Sequence, residues 1–94
     1  MLYKWDIDKN AWLKEHRNVS FEEIIGCIAD QKIIDVIEHH NQRKYAHQKI
    51  MVVALNGYAF HVPYVEDHEG SCFLKTIIPS RKSTRKYLEH TYET

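Results

Sequence analysis

The dipeptide Asn56-Gly57 is the feature that most constrains the fold, because it separates two apolar segments. Both central positions of a type I′ turn need a positive φ angle, which asparagine and glycine adopt most easily. The preceding segment 49–55 reads KIMVVAL and the following segment 58–65 reads YAFHVPYV. The pattern therefore predicts an antiparallel hairpin whose first strand is apolar and central in a sheet.

The second strand of this hairpin has two distinct faces, since successive side chains of a strand point to opposite sides. One face carries Tyr58, Phe60, Val62 and Tyr64, and the other carries Ala59, His61 and Val65. Pro63 has no N–H group to donate, so it predicts that the strand lies at an edge or contains a bulge.

Two helices precede the hairpin. Asp6 is the candidate N-cap of a helix over residues 6–17, after a short extended segment. Ser20 followed by Glu23 forms a capping box, which begins a second helix that runs to about residue 31.

Further elements complete the pattern. Residues 33–40 and 71–78 are rich in branched and aromatic side chains and predict two more strands, and Ser80 is the candidate N-cap of a last helix. The expected fold is α+β: two N-terminal helices, a four-stranded antiparallel sheet and a C-terminal helix. We expect all helices on one face of the sheet.

The composition favours one small domain over residues 1–94. An obligate partner or a homodimer fits a chain with so modest a core. The segment MLYKWDIDKN has no apolar region of a signal peptide, and no apolar run is long enough to span a bilayer. Cys27 and Cys72 are too few and too far apart for a disulfide scaffold. These features predict a cytoplasmic protein that does not contact a membrane.

Positive charge is concentrated in residues 75–88, KTIIPSRKSTRKYL, whereas the whole chain has 13 basic and 13 acidic residues. Cations in the first turns of a helix that starts after Ser80 cost a few tenths of a kcal/mol each, roughly, because they oppose the helix dipole. The pattern therefore favours an external anion, and we predict an RNA phosphate. A solvated, basic surface helix is the alternative.

Three ordered motifs resemble the BrnT-type toxins of bacterial type II toxin–antitoxin modules. They are W-D-x-x-K-N from Trp5, K-E-H-x-x-V-S-F-E-E from Lys14, and I-I-P-S-R-K-S-T-R from Ile77. The resemblance covers nearly the whole chain. Two positions depart from it: Thr76 stands where the family has a basic residue, and Pro79 is unusual. The toxin class is therefore better supported than any single catalytic residue.

This resemblance implies a RelE-like ribonuclease fold and a metal-independent endoribonuclease that cleaves cellular RNA and inhibits translation and growth, with no cofactor. It also implies a cognate antitoxin protein that neutralises the toxin. The chain has no helix-turn-helix with a basic recognition helix, so we expect DNA contacts only through the antitoxin complex.

Cleavage without a metal uses the 2′-hydroxyl of the RNA as nucleophile, so the protein must stabilise a negatively charged phosphorane and move protons. Arg81 and Arg85 lie four residues apart and are assigned to the phosphate, His61 to acid–base catalysis and Lys75 to a further cation. The predicted RNA-binding residues are Lys82, Lys86, Tyr58 and Tyr64, of which the tyrosines would stack on bases.

Two other readings stay open. The cluster Glu66-Asp67-His68-Glu69 and the seven histidines invite a metal site, although the chain lacks an HExxH motif and paired Cys/His spacing. The protein is alternatively a non-catalytic module that holds an antitoxin or another partner.

Overall fold

A computed structural model of the protein describes residues 1–89, which form three helices and a mixed sheet of six strands. The strands are β1 (Leu2–Lys4), β2 (Ile33–Glu38), β3 (Gln48–Leu55), β4 (Tyr58–Glu66), β5 (Ser71–Leu74) and β6 (Ile78–Pro79). The helices are α1 (Ile7–His16), α2 (Phe21–Ala29) and α3 (Arg81–Tyr87). The α+β class is confirmed.

The predicted sheet of four antiparallel strands is wrong. The strand order is β1-β5-β4-β3-β2, with β6 also paired to β4, and the short strand β1 pairs with β5 in parallel. The central hairpin of β3 and β4 is confirmed, since Asn56 and Gly57 have φ angles of 53° and 76° and Leu55 pairs with Tyr58.

The single strand predicted over residues 71–78 is interrupted at residues 75–77. Its two parts, β5 and β6, pair with successive portions of β4, and between them Lys75 N donates a hydrogen bond of 2.8 Å to Pro63 O. The N and O atoms of one residue in an antiparallel strand point to the same side, so the missing N–H of Pro63 faces this break. Pro63 thus lies in an interior strand, opposite an irregular part of its neighbour.

Helices α1 and α2 cover one face of the sheet. Both predicted caps form: Asp6 Oδ1 accepts from Lys9 N at 3.0 Å and Ser20 Oγ accepts from Glu23 N at 3.2 Å. The resulting core contains Leu13, Val19, Phe21, Ile24 and Cys27 from the helices and connections, and Met51, Val53, Val62, Tyr64, Cys72, Leu74 and Ile77 from the sheet and its edge.

Helix α3 lies on the opposite face, so the expectation of helices on one face is wrong. Val52 pairs with both Asp35 and His61 across the sheet, and this row points away from the first core because it alternates with Val53. Val52 and Ala59 are fully buried on this second side. Ser80 directly follows β6, and the hydrogen bonds of Ser80 and Thr84 to Ala59 hold the start of α3 on this face.

Candidate nucleic-acid interface

The first turn of α3 is anchored to the start of β4 by backbone and side-chain hydrogen bonds. Ser80 caps the helix by accepting from Ser83 N at 3.1 Å, and Ser80 N donates to Ala59 O at 2.9 Å. Thr84 Oγ1 accepts from Ala59 N at 2.9 Å and donates to Ser80 O at 2.8 Å. These contacts fix the position of the helix start on the sheet.

The inner side of α3 makes two further contacts, one helical turn apart. Ser83 Oγ lies 2.7 Å from Nε2 of His61, and the Tyr87 hydroxyl donates to Asp35 Oδ2 at 2.6 Å. The hydrogen bond from Tyr87 holds the pKa of Asp35 below its ordinary value, and burial lowers the pKa of His61. His61 is therefore neutral at pH 7 in the unbound protein.

The outer side of α3 carries the predicted phosphate-binding residues. Arg81, Lys82, Arg85 and Lys86 are all exposed and line an open depression of about 660 Å³. The helix contains no acidic residue, and within residues 1–89 none of the four forms an ion pair, since the one ion pair there joins Lys14 to Glu22. We call these four residues the α3 basic surface.

Lys75 lies on the same face of the sheet as α3. Its ammonium group is 5.7 Å from the ring centre of Phe73, which pairs with Val65 in a row that shares the face of His61. The side chain is exposed, but it projects from the break between β5 and β6 rather than from the helix. The structure thus brings Lys75 and His61 to the side of the α3 basic surface.

Tyr58 and Tyr64 lie on the other face of the sheet. The Tyr64 side chain is only 6% exposed and belongs to the core under α1 and α2, and Tyr58 packs edge-on against Phe60 with ring centres 5.7 Å apart. Neither ring joins the α3 basic surface. A stacking role for these tyrosines beside the phosphate site therefore has no geometric support.

Three residues that position the α3 basic surface could not be assigned from the sequence: Asp35, Ser83 and Thr84. Ser83 and Tyr87 are spaced four apart, which places them on one helix face opposite the cations. That spacing was a usable signal for the buried side of the helix. Their partners on the sheet have no signal in the sequence, because they depend on which face α3 covers.

The acidic loop after β4 has a local structural role. Asp67 Oδ1 accepts from Glu69 N and Ser71 N, both at 2.9 Å, which shapes the turn into β5. Among residues 1–89 no group of three His, Cys, Asp or Glu side chains is arranged to hold a metal ion. In the same part of the chain, none of the helices is both long and apolar enough to cross a lipid bilayer.

Comparison of the chain with models of protein families, with curated proteins and with solved structures found no match.

Proposed function

We propose that this protein is the toxin of a type II toxin–antitoxin system, a metal-independent endoribonuclease with a RelE-like fold that acts in the cytoplasm. The observation that carries the proposal is the α3 basic surface. Four exposed cations share one short helix and form no ion pair within residues 1–89, while the inner side of that helix is held to the sheet. The ordered motifs of the sequence support the same class.

The first role of the site is to hold the RNA phosphate. Arg81 and Arg85 are one turn apart, and their planar guanidinium groups donate paired hydrogen bonds to phosphate oxygens. Lys82 and Lys86 extend the positive surface along the RNA backbone. Because the helix is anchored before RNA binds, little further ordering is needed, and this preorganisation stabilises the charge that develops on the phosphorane.

The second role is proton transfer. His61 is neutral, so it can accept the proton of the 2′-hydroxyl while that oxygen forms its bond to phosphorus. Since Nε2 is bonded to Ser83, Nδ1 is the nitrogen assigned to this step. The bond between phosphorus and the 5′ oxygen breaks, the 5′ oxygen takes a proton from solvent, and Lys75 adds positive charge on the same face.

The α3 basic surface also suggests how the toxin is controlled. A cognate antitoxin with an acidic segment would cover the four cations, which blocks RNA both sterically and electrostatically. The active form is then a free monomer or homodimer, and the inhibited form a hetero-oligomer in which DNA is contacted through the antitoxin.

The test compares induced expression of the wild type with that of an Arg81→Ala/Arg85→Ala variant in a bacterial host. We expect growth arrest and RNA breakdown from the wild type, and neither from the double variant. A matched variant, Arg43→Ala/Lys44→Ala, removes two exposed cations from the loop before β3 and should stay toxic. Full toxicity of a folded Arg81/Arg85 variant would overturn the assignment of these arginines.

A second candidate function, a non-catalytic partner-binding module, is favoured by one observation. Nε2 of His61 is bonded to Ser83 beneath α3, so the group assigned to proton transfer also has a structural role. Purified wild type that binds RNA or an acidic partner but leaves RNA uncut, with or without EDTA, would establish this function. Cleavage that EDTA abolishes would point to a metal-dependent nuclease.

A further inference from the structure

A separate cavity of about 240 Å³ lies at the other end of the sheet from α3. It is formed where β2, β3 and β4 meet the loop before β3, and its polar lining includes Glu38, His47, Lys49, Tyr64 and Glu66. None of these residues takes part in the chemistry assigned to the α3 basic surface.

Three of the lining residues form a row across neighbouring strands. Glu38 pairs with Lys49, and Lys49 pairs with Tyr64. Side chains paired in this way have their Cβ atoms roughly 5 Å apart and lie on the same face of the sheet. The row therefore presents a carboxylate, an ammonium group and a hydroxyl in that order.

The polar groups of this row are not consumed by contacts within the protein. Within residues 1–89, neither Glu38 nor Lys49 forms an ion pair closer than 4 Å, although they stand opposite each other. The Tyr64 side chain is 6% exposed, and its hydroxyl has no hydrogen-bond partner among the same residues. The buried side-chain atom that lacks a partner within residues 1–89 is Thr76 Oγ1, so the Tyr64 hydroxyl is accessible from the cavity and free to pair with a ligand.

The hydroxyl of Tyr64 is a hydrogen-bond donor at neutral pH. Burial raises the pKa of Tyr64, and the nearby carboxylate of Glu66 raises it further. The cavity therefore offers acceptors at Glu38 and donors at Lys49 and Tyr64.

We propose that this cavity binds a guanine base, with Glu38, Lys49 and Tyr64 reading its edge in order. Guanine presents two neighbouring donors, the N2 amino group and N1–H, followed by two acceptors, O6 and N7. The Glu38 carboxylate accepts from the donor pair, Lys49 donates to O6, and the Tyr64 hydroxyl donates to N7. Adenine places an amino group where Lys49 needs an acceptor, and it lacks the donor pair for Glu38.

The same chemistry occurs in a free guanine nucleoside and in a guanosine of RNA. The cavity is on the opposite face of the sheet from the α3 basic surface, so base binding here goes beyond the proposed ribonuclease activity and does not require it.

The test is a titration of the full ¹⁵N-labelled chain with guanosine, inosine and adenosine, followed by amide shifts of residues around Lys49 and Tyr64. Nucleosides without phosphate avoid binding to the α3 basic surface. We expect guanosine to bind roughly tenfold or more tightly than adenosine, with inosine weakened by loss of the 2-amino group. Equal binding of guanosine and adenosine, or absence of binding, overturns the proposal.

Two matched substitutions locate the site. Glu38→Gln replaces one acceptor oxygen by an amino group and should weaken guanosine binding about tenfold, whereas Glu69→Gln in the exposed acidic loop should not change it. Thermal unfolding of both variants controls for folding. Unchanged binding by a folded Glu38→Gln variant overturns the assigned geometry.

Two further arms separate this proposal from the nuclease and identify the source of the base. An Arg81→Ala/Arg85→Ala variant should bind guanosine as the wild type does, even if RNA cleavage is lost or was never present. Loss of guanosine binding in this folded variant would overturn the claim that the cavity binds the base independently of the α3 basic surface. A guanine-containing trinucleotide that binds more tightly than guanosine supports RNA as the source, and one that binds more weakly supports the free nucleoside.

Discussion

The two faces of the sheet are built by different kinds of contact. On the face of α1 and α2, large apolar side chains such as Phe21, Ile24 and Leu13 are fully buried against the strands. On the α3 face, the helix is held by hydrogen bonds from Ser83, Thr84 and Tyr87. The first face supplies most of the stability, and the second positions an exposed, charged helix.

The two faces differ in this way because the outer side of α3 consists of charged side chains. A helix of seven residues is not stable alone, and four of its residues are cations that cannot enter a core. Its remaining side chains are small or polar, so they attach through hydrogen bonds that contribute about 0.5–1.5 kcal/mol each. The position of α3 therefore depends on a few directional contacts that single substitutions can remove.

The greatest loss of stability should follow a substitution on the apolar face. Phe21 is fully buried and stacks on Trp5 with ring centres 5.6 Å apart, so Phe21→Ala should lower the free energy of unfolding by about 3–5 kcal/mol. Denaturant unfolding measures this loss. Ile78→Ala, at a side chain that is 42% exposed, is the control and should cost far less. Similar losses for the two variants would contradict the unequal roles of these positions.

A smaller loss is expected when α3 is detached from β4. Thr84→Val keeps the shape of the side chain but leaves the buried Ala59 N–H without its acceptor, which should cost about 1–3 kcal/mol in the free energy of unfolding. Thr84→Ser retains the hydroxyl and should keep most of the stability. If the Thr84→Val and Thr84→Ser variants have the same free energy of unfolding, the hydrogen bond does not hold α3, and the conclusion that polar contacts hold this face is contradicted.

The smallest effect is a dependence on pH that only the α3 face should show. Burial keeps the pKa of His61 below its ordinary value of 6.5, so the unfolded chain takes up the proton first as the pH falls. The contribution of His61 to stability is therefore full above about pH 6.5 and decreases below it. Unfolding between pH 7.5 and 5.5 should show a shallower decline in His61→Gln than in the wild type.

The exposed loop residue His68 offers the matched control for that measurement, since His68→Gln should leave the decline unchanged. An identical pH dependence of the free energy of unfolding for His61→Gln and the wild type would show that the half-buried imidazole of His61 does not make stability depend on pH.

Local chemistry made much of the fold predictable. The Asn56-Gly57 turn and the caps at Asp6, Ser20 and Ser80 act within three or four residues, and each formed as expected. The parallel pairing of β1 with β5 and the break at residues 75–77 were missed. Both depend on partners far away in the chain, and the pattern of a three-residue strand is too short to predict which strand it pairs with.

The candidate site divides in the same way. The cations of α3 follow directly from the sequence, as does their common exposure on one side of the helix. The sheet register was needed for the partners of α3, for the position of Lys75 beside Phe73 and for the row from Glu38 to Tyr64.

Most of the helices and strands, their caps, the central hairpin and the cluster of positive charge were predictable from the amino-acid sequence, because they depend on short-range preferences and composition. The position of α3 on the face opposite α1 and α2 was not predictable in this way, because it depends on long-range contacts. That position depends on how β6 continues along the edge of β4 and where Ser80 turns the chain, and the hydrogen bonds that select this arrangement join residues about 20 to 50 positions apart.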